Sequence, residues 1–287
     1  MRSEARHSVT EGINPRTIHL DRFSTLEIIQ KILEEDRKVA GAVARQKKNI
    51  AKAVDLIVSR LSNGGRLFFV GAGTSGRLGV MEAAECPPTF GTQPGLIQGI
   101  IAGGKKALWQ SIEGAEDSRS EAQKSLSKQG LVKKDIVVGI AASGATPFVQ
   151  GALSYAKKMG SARVLITCNR VNSQLADITI CLIVGPEVIS GSTRMKAGTA
   201  TKMVLNMLTT ASMVRLGKTY GNLMVGVQPK SKKLKNRAIR IVMKILGTEN
   251  KKALELLRKS NWDVKASLLM GIKNLNYKET KLRIAKR

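Results

Sequence analysis

Histidine is nearly absent from this sequence. The only two, His7 and His19, precede the first plausible core element, so the body of the chain lacks the usual acid and base of neutral pH. The three cysteines, Cys86, Cys168 and Cys181, are widely spaced and odd in number, and indicate neither a disulfide framework nor a metal site. We therefore predict a cytoplasmic protein without a metal, in which carboxylates carry any proton transfer.

Long apolar runs and aromatic residues are also scarce. No segment approaches the roughly 18 uninterrupted apolar residues of a membrane span, and Met1–Leu20 is polar, so we expect no membrane partner and no export. Aromatic residues make up 3% of the chain, too few for base-stacking platforms. The last 60 residues hold 18 Lys and Arg against 4 Asp and Glu, and so 14 of the 27 net positive charges. This distribution favours a solvated basic face over a nucleic-acid partner.

Short apolar runs alternate with segments of helical character through the middle of the chain. A length of 287 residues, 43% of them hydrophobic, suffices for one large domain or a main domain with a small one. The alternation predicts an α/β fold with a parallel sheet. The predicted strands are Arg66–Val70, Ile97–Ala102, Ile136–Ala141, Val164–Thr167 and Ile178–Val184.

Helical patterns precede and follow the predicted sheet. Ser24 and Glu27 form a capping box, which predicts a helix start, and a second amphipathic pattern ends near Asn63. A long apolar helix is expected over Arg194–Leu216, followed by shorter helices in the basic carboxy-terminal region. We predict an N-terminal segment with helices over 1–55, a main domain over 56–222 and a small basic helical domain over 223–287.

The first predicted strand ends in a glycine-rich loop, Gly71–Gly76. Three spaced glycines after a strand match the dinucleotide pattern, but no acidic residue between Thr89 and Gly104 is available for the ribose hydroxyls, which argues against a dehydrogenase. The loop offers close approach, backbone amides and the hydroxyls of Thr74 and Ser75 before a helix start. These features suit a small phosphate ester.

Two more hydroxyl-bearing loops follow predicted strands. They are Ser143–Pro147, with a proline at a first helical position, and Ser190–Thr193, before the long helix. Loops at the carboxyl ends of strands meet in one crevice in open α/β sheets. We expect the three loops to share a sugar phosphate, although each loop by itself is also typical of ordinary helix capping.

Carboxylates are scarce enough for their positions to be informative. Glu82 and Glu85 fall on the helix after the first loop, and a second cluster contains Glu113, Glu116 and Asp117. We expect the helix to end at Glu85, because the residue before a proline avoids helical geometry and Cys86-Pro87-Pro88 follows. On spacing alone, an acid near a helix end is most often solvated or structural.

Several long strings resemble the N-acetylmuramic acid 6-phosphate etherases, a family of the sugar isomerase (SIS) domain. The most specific is Gly71–Gly79 followed by Glu85–Gly91. The similarity continues through Glu113–Asp117 and Gly191–Ala200, and spans most of the chain from about Asn14.

The resemblance implies a doubly wound, flavodoxin-like SIS sheet and a homodimer without a cofactor. It implies a lyase that converts N-acetylmuramic acid 6-phosphate and water to N-acetylglucosamine 6-phosphate and D-lactate in cell-wall sugar recycling. Glu116 is expected to be the base and Glu85 the proton donor. The expected phosphate-binding and substrate-binding residues are Thr74, Ser75, Ser143, Thr146, Ser192 and Thr193.

Two positions depart from the family pattern, and two other functions stay open. Ala145 stands where the family commonly has arginine, so a cationic ligand contact is expected to be missing. Gly226–Ser231 replaces a stretch in which the family usually has an aspartate and a Thr-Asn pair, which puts the docking of the small domain in doubt. The alternatives are a non-catalytic sugar-phosphate sensor resembling the glucokinase regulatory protein, and an aldose-ketose isomerase.

Overall fold

The computed structural model describes residues 9–171, 174–227, 229 and 231–285. His7, and Gln228 and Lys230 within Gly226–Ser231, lie outside the described residues. The chain forms two compact units, one of residues up to Ala84 together with Gly95–Ser212, the other of Glu85–Pro94 together with residues from Met213 onward. The division predicted from the sequence, at residues 55 and 222, stays a prediction.

Five parallel strands form one sheet in the first unit, as predicted. The order across the sheet is β2-β1-β3-β4-β5, the flavodoxin-like order. In the register between the two central strands, Leu67 pairs with Ile136 and Gly71 with Ile140. The strands are β1 Leu67–Gly71, β2 Ile97–Ile101, β3 Ile136–Ile140, β4 Ala162–Thr167 and β5 Ile178–Cys181.

Helices lie before, between and after these strands. They are α1 Thr25–Ala44, α2 Lys47–Ser62, α3 Gly73–Phe90, α4 Arg119–Lys128, α5 Pro147–Lys158 and α6 Lys196–Arg215, with short 3-10 turns at Val9–Glu11, Leu20–Arg22, Gly104–Leu108 and Ala115–Asp117. The capping box at the start of α1 is confirmed, since the Ser24 hydroxyl accepts from the Glu27 amide and the Glu27 carboxylate accepts from the Ser24 amide. Pro147 is the first residue of α5, as predicted.

The expectation that a helix ends at Glu85 is wrong. Helix α3 continues through Pro87 and Pro88 to Phe90. A proline removes its own amide donor, but its fixed φ of about −65° is helical, and its carbonyl can still accept. The Pro87 carbonyl accepts a hydrogen bond from the Gly91 amide at 3.0 Å.

Both faces of the sheet are covered. On one face Phe68 and Val137 join a buried cluster with Phe148 and Leu153 of α5. On the other face α3 approaches so closely that a Cβ at Gly79 would lie 2.9 Å from the Phe69 Cβ. Burial on both faces explains why the strands are continuous apolar runs rather than alternating patterns.

The second unit has its own apolar core. The core includes Ala238, Val242 and Leu257, all fully buried. Gly226 lies where a Cβ would be 2.3 Å from the Phe90 carbonyl oxygen, so an aspartate does not fit this backbone position without a shift. The helices of this unit are α7 Lys232–Leu246, α8 Asn250–Lys259, α9 Val264–Lys273 and α10 Tyr277–Ala285. Within the described range, no helix is long and apolar enough to cross a membrane.

A buried ion pair joins α1 to the start of α6. The Lys196 ammonium donates to the Glu35 carboxylate and, at 2.7 Å, to the Pro186 carbonyl. Lys196 is 1% exposed and Glu35 is 2% exposed. Burial raises the pKa of Glu35, but hydrogen bonds from Lys196 and Lys38 outweigh it and hold that pKa below its ordinary value. Glu35 is therefore an ion at neutral pH, and its charge depends on Lys196.

We predict that Lys196→Met lowers the free energy of unfolding by about 3 kcal/mol at pH 7, because it leaves a buried carboxylate without its main partner. The pKa of Glu35 is lowered in the folded state, so the stabilisation is present at neutral pH and is lost as the pH falls below the ordinary value of 4.5 and through the lowered folded pKa. Urea unfolding at pH 7 and at successively lower pH, down through this range, measures both effects.

The matched control is Lys202→Met, which removes an exposed lysine from the same helix. An equal loss in both variants, or a loss from Lys196→Met that does not shrink in acid, contradicts the prediction.

Candidate active site

The loop from β1 to α3 is a tight turn that only glycine allows. A Cβ at Gly71 would lie 2.8 Å from the Gly76 amide nitrogen, and a Cβ at Gly76 would lie 2.6 Å from the Gly71 carbonyl oxygen. Thr74 and Ser75 therefore fall in the first turn of α3, where backbone amides have no acceptor within the helix. Such a turn attracts an anion.

The loop from β3 to α5 presents a second pair of hydroxyls. The Ser143 and Thr146 hydroxyl oxygens are 3.4 Å apart, and the Ser143 hydroxyl accepts from the Ala145 amide at 3.2 Å. Thr146 is the N-cap residue of α5, yet its side chain makes no capping hydrogen bond. Its hydroxyl is therefore available to a ligand, contrary to the simple capping alternative.

The third loop, Ser190–Thr193, does not lead directly into a helix as expected. Helix α6 begins only at Lys196, and the buried Glu187 carboxylate accepts from the amides of Lys196 and Ala197 at 3.1 and 2.9 Å. Burial raises the pKa of Glu187 even though both amides donate to it. These first amides of α6 are taken by Glu187, and the loop instead offers Gly191 and Thr193.

Residues of all three loops line one cavity of about 420 Å³ in the first unit. Ser192 is half-buried and is not among the residues that line it. None of the described residues that line the cavity is a Lys or an Arg, so the groups they offer to an anion are hydroxyls and backbone amides. The lining includes six of the residues expected from the sequence: Thr74, Ser75, Glu116, Ser143, Thr146 and Thr193.

Three carboxylates share this cavity. Glu116 and Asp117 come from the 3-10 turn at Ala115–Asp117, which follows β2, and Glu11 comes from the N-terminal segment. Glu116 also lines an adjoining cavity of about 110 Å³ together with Arg77. Sequence analysis missed Glu11, because nothing in its spacing links it to loops at least 60 residues away.

The other acidic residues named from the sequence have different surroundings. Glu82 is buried and accepts hydrogen bonds of 2.5 Å from Asn206 and Thr209 of α6, so it fastens α3 to α6. Glu113 is exposed and accepts from the Ser111 hydroxyl. Glu85 is exposed, on the part of α3 that belongs to the second unit. Its catalytic role stays a prediction.

Cys168 and Cys181 are unsuited to nucleophilic chemistry at neutral pH. Burial raises the pKa of the Cys168 thiol to about 12, and burial also raises the pKa of Cys181. Both thiols therefore stay protonated at neutral pH, and a protonated thiol is a poor nucleophile.

Comparison with known proteins identifies the domain that the first unit forms. Residues 49–157 match the glucokinase regulatory protein N-terminal SIS domain, and residues 118–211 match the SIS domain. A phosphoheptose isomerase from Francisella tularensis has the same fold, with a TM-score of 0.53 and 17% identity over 67% of this chain and all of that one. The first unit is thus a SIS domain.

Full-length relatives define the family. An N-acetylmuramic acid 6-phosphate etherase from Clostridium beijerinckii is 48% identical, over 98% of this chain and 93% of the relative. One from Geobacillus thermodenitrificans is 49% identical, over 97% and 95%. The chain belongs to the N-acetylmuramic acid 6-phosphate etherase family.

The described residues of the wall include no Lys or Arg, which leads to a prediction at Ala145, an exposed lining residue. We expect Ala145→Arg to tighten the binding of N-acetylglucosamine 6-phosphate by about tenfold, because an arginine adds a charge-assisted hydrogen bond to the phosphate. Titration calorimetry measures the dissociation constant. Ala40→Arg on α1 adds the same charge at an exposed position outside the cavity. Equal tightening in both variants, or none at Ala145→Arg, counts against phosphate at this loop.

Proposed function

We propose that this protein cleaves the D-lactyl ether of N-acetylmuramic acid 6-phosphate and releases N-acetylglucosamine 6-phosphate and D-lactate. One observation carries the proposal for this chain. Glu116 lines the same cavity as two hydroxyl-bearing loops, each of which leads into the start of a helix. A carboxylate beside an anion-binding wall is what proton abstraction from a sugar phosphate requires.

In this proposal the phosphate occupies the side of the cavity formed by α3 and α5. Thr74 and Ser75 are in the first turn of α3, and Ser143 and Thr146 immediately precede α5. The positive ends of both helix dipoles point toward an anion placed there. Thr193 lines the third side, and Ser192 is assigned to the same loop although it does not line the cavity.

With its phosphate bound at α3 and α5, the substrate has its sugar beside Glu116. Opening of the sugar ring gives an aldehyde at carbon 1, which acidifies the proton on carbon 2. Glu116 removes this proton, the bond between carbon 3 and the lactyl oxygen breaks, and a double bond forms between carbons 2 and 3. The departing oxygen takes its proton from Glu85.

Hydration completes the reaction. Water adds its hydroxyl to carbon 3 and a proton returns to carbon 2, so the two glutamates exchange roles as base and acid. The atoms of substrate and products balance with water as the only co-substrate. The proposed reaction uses no metal and no cofactor.

Two rival functions predict different products. A sensor, favoured by the match to the regulatory SIS domain over residues 49–157, binds a sugar phosphate without changing it. An aldose-ketose isomerase also begins with removal of the carbon 2 proton, but it moves the carbonyl and releases no lactate. Label at carbon 2 and release of lactate therefore separate all three functions.

We predict that in deuterated water the wild type releases D-lactate and places deuterium at carbon 2 of the product, as followed by NMR. Glu116→Gln loses both signals, with kcat lowered by at least about a hundredfold, because the base is gone. Glu85→Gln exchanges the carbon 2 proton of the substrate but does not release lactate, because the leaving oxygen lacks its acid.

Glu121→Gln is the control, since Glu121 is exposed on α4 and pairs with Lys124. Lactate release at the wild-type rate from Glu116→Gln refutes its role as base. Saturable binding by the wild type without label or lactate supports the sensor instead.

A homodimer in the cytoplasm is part of the proposal. Leu26, Ile29 and Leu33 form an apolar stripe on α1 and are 74%, 49% and 54% exposed. A second copy of the chain is the occupant we assign to this stripe. Cys168 and Cys181 are thiols rather than halves of a disulfide, which suits a reducing compartment.

We expect Ile29→Lys to convert the dimer to a monomer in sedimentation analysis, because it buries a charge in the apolar contact. Gln30→Lys, one residue along the same helix and exposed, should leave the mass unchanged. A monomeric wild type, or a dimer that survives Ile29→Lys, contradicts this assignment of the stripe.

A further inference from the structure

The N-terminal segment contributes a carboxylate, Glu11, to the wall of the cavity. We propose that Glu11 is a substrate-binding residue, and that its carboxylate accepts hydrogen bonds from hydroxyl or amide N–H groups at the sugar end of the bound sugar phosphate. This inference rests on the proposed function for the identity of the ligand. It adds a residue to the site, with a role distinct from proton transfer.

Hydrogen bonds fix the segment next to the second loop. The Thr10 amide donates to the Asn169 side-chain oxygen at 3.3 Å, and the Asn169 side-chain nitrogen donates to the Thr10 hydroxyl at 2.9 Å. The same nitrogen donates to the Ala142 carbonyl at 3.0 Å, immediately before Ser143. Thr10 and Asn169 are both buried. These bonds attach the backbone next to Glu11 to the loop between β3 and α5, which carries the hydroxyls of Ser143 and Thr146.

The third loop holds the segment from the other side. The Ser190 hydroxyl lies 3.2 Å from the Glu11 carbonyl oxygen and 3.1 Å from the Gly12 carbonyl oxygen. Farther along, the Thr17 hydroxyl donates to the Val188 carbonyl at 2.8 Å. A Cβ at Gly191 would lie 3.2 Å from a carboxylate oxygen of Glu11, so that carboxylate lies against the third loop.

Charge decides which part of the ligand this carboxylate contacts. A phosphate next to Glu11 would place two anions together where none of the described lining residues is a Lys or an Arg, whereas the loops at Thr74 and Ser143 offer donors. The phosphate therefore belongs at α3 and α5. The complement of a carboxylate, which only accepts, is a set of hydroxyl and amide donors, and a sugar carries these groups away from its phosphate.

This assignment predicts that substitution of Glu11 changes the affinities for two ligands differently. Removal of the acceptor in Glu11→Ala should weaken N-acetylglucosamine 6-phosphate about tenfold to a hundredfold, the range for a hydrogen bond to a charged group. Inorganic phosphate, which has no sugar, should bind as well as before or more tightly, because a nearby negative charge is gone. Glu11→Gln keeps one acceptor oxygen and should fall between.

Titration calorimetry of the full-length chain with both ligands tests the proposal. Asp21→Asn removes the same charge from an exposed residue of the same segment and is the matched control. In steady-state kinetics of lactate release, Glu11→Ala should raise KM by a larger factor than it lowers kcat, as expected when uniform binding is lost. Thermal unfolding of each variant checks the fold.

Three results would overturn the inference. An equal loss of affinity for both ligands would mean that Glu11 only maintains the structure of the N-terminal segment. Unchanged affinity for the sugar phosphate would mean that it contacts no ligand, and loss of carbon 2 exchange at saturation would make it a proton-transfer residue. Failure of the proposed function is separate, since it appears as a wild type that releases no lactate, whereas the affinity change is read without turnover.

Discussion

The parallel pairing of β1 with β3 governs where the site forms. These strands are neighbours, with Gly71 opposite Ile140, although β2 lies between them in sequence. The chain leaves β1 into α3 and β3 into α5, on opposite faces of the sheet. Such a switch point opens a crevice at the carboxyl ends of the strands. The hydroxyls after both strands therefore line one cavity, and the third loop and the turn with Glu116 add to it.

The charged residues of the cavity wall are opposite in sign to the net charge of the chain. The protein carries a net charge of +27, yet the charged groups among the described residues of the cavity wall are Glu11, Glu116 and Asp117. The groups of this wall that can bind a phosphate are hydroxyls and helix amides. The positive net charge still attracts an anionic substrate over longer distances.

Contacts between distant parts of the chain hold the third side of the cavity. Lys196 joins α1 to α6 through Glu35, and Glu187 holds the amides that begin α6. The segment around Thr10 is attached to Asn169, and so to the second loop. Each of these groups is buried, so its hydrogen bonds have no water to replace them. Together they position the loop that carries Thr193.

By itself the sequence determined the five strands, the capping box at Ser24 and the hydroxyl loops, because apolar runs, caps and turns are set by residues a few positions apart. It was wrong about the end of α3, since proline costs a helix only its local donor when the rest of the helix is supported. Only the tertiary structure decided that Glu82 fastens two helices, that Glu187 caps α6, and that Glu11 reaches the cavity. Glu11 and Gly191 are 180 residues apart in the chain, and their contact depends on the packing of the whole first unit.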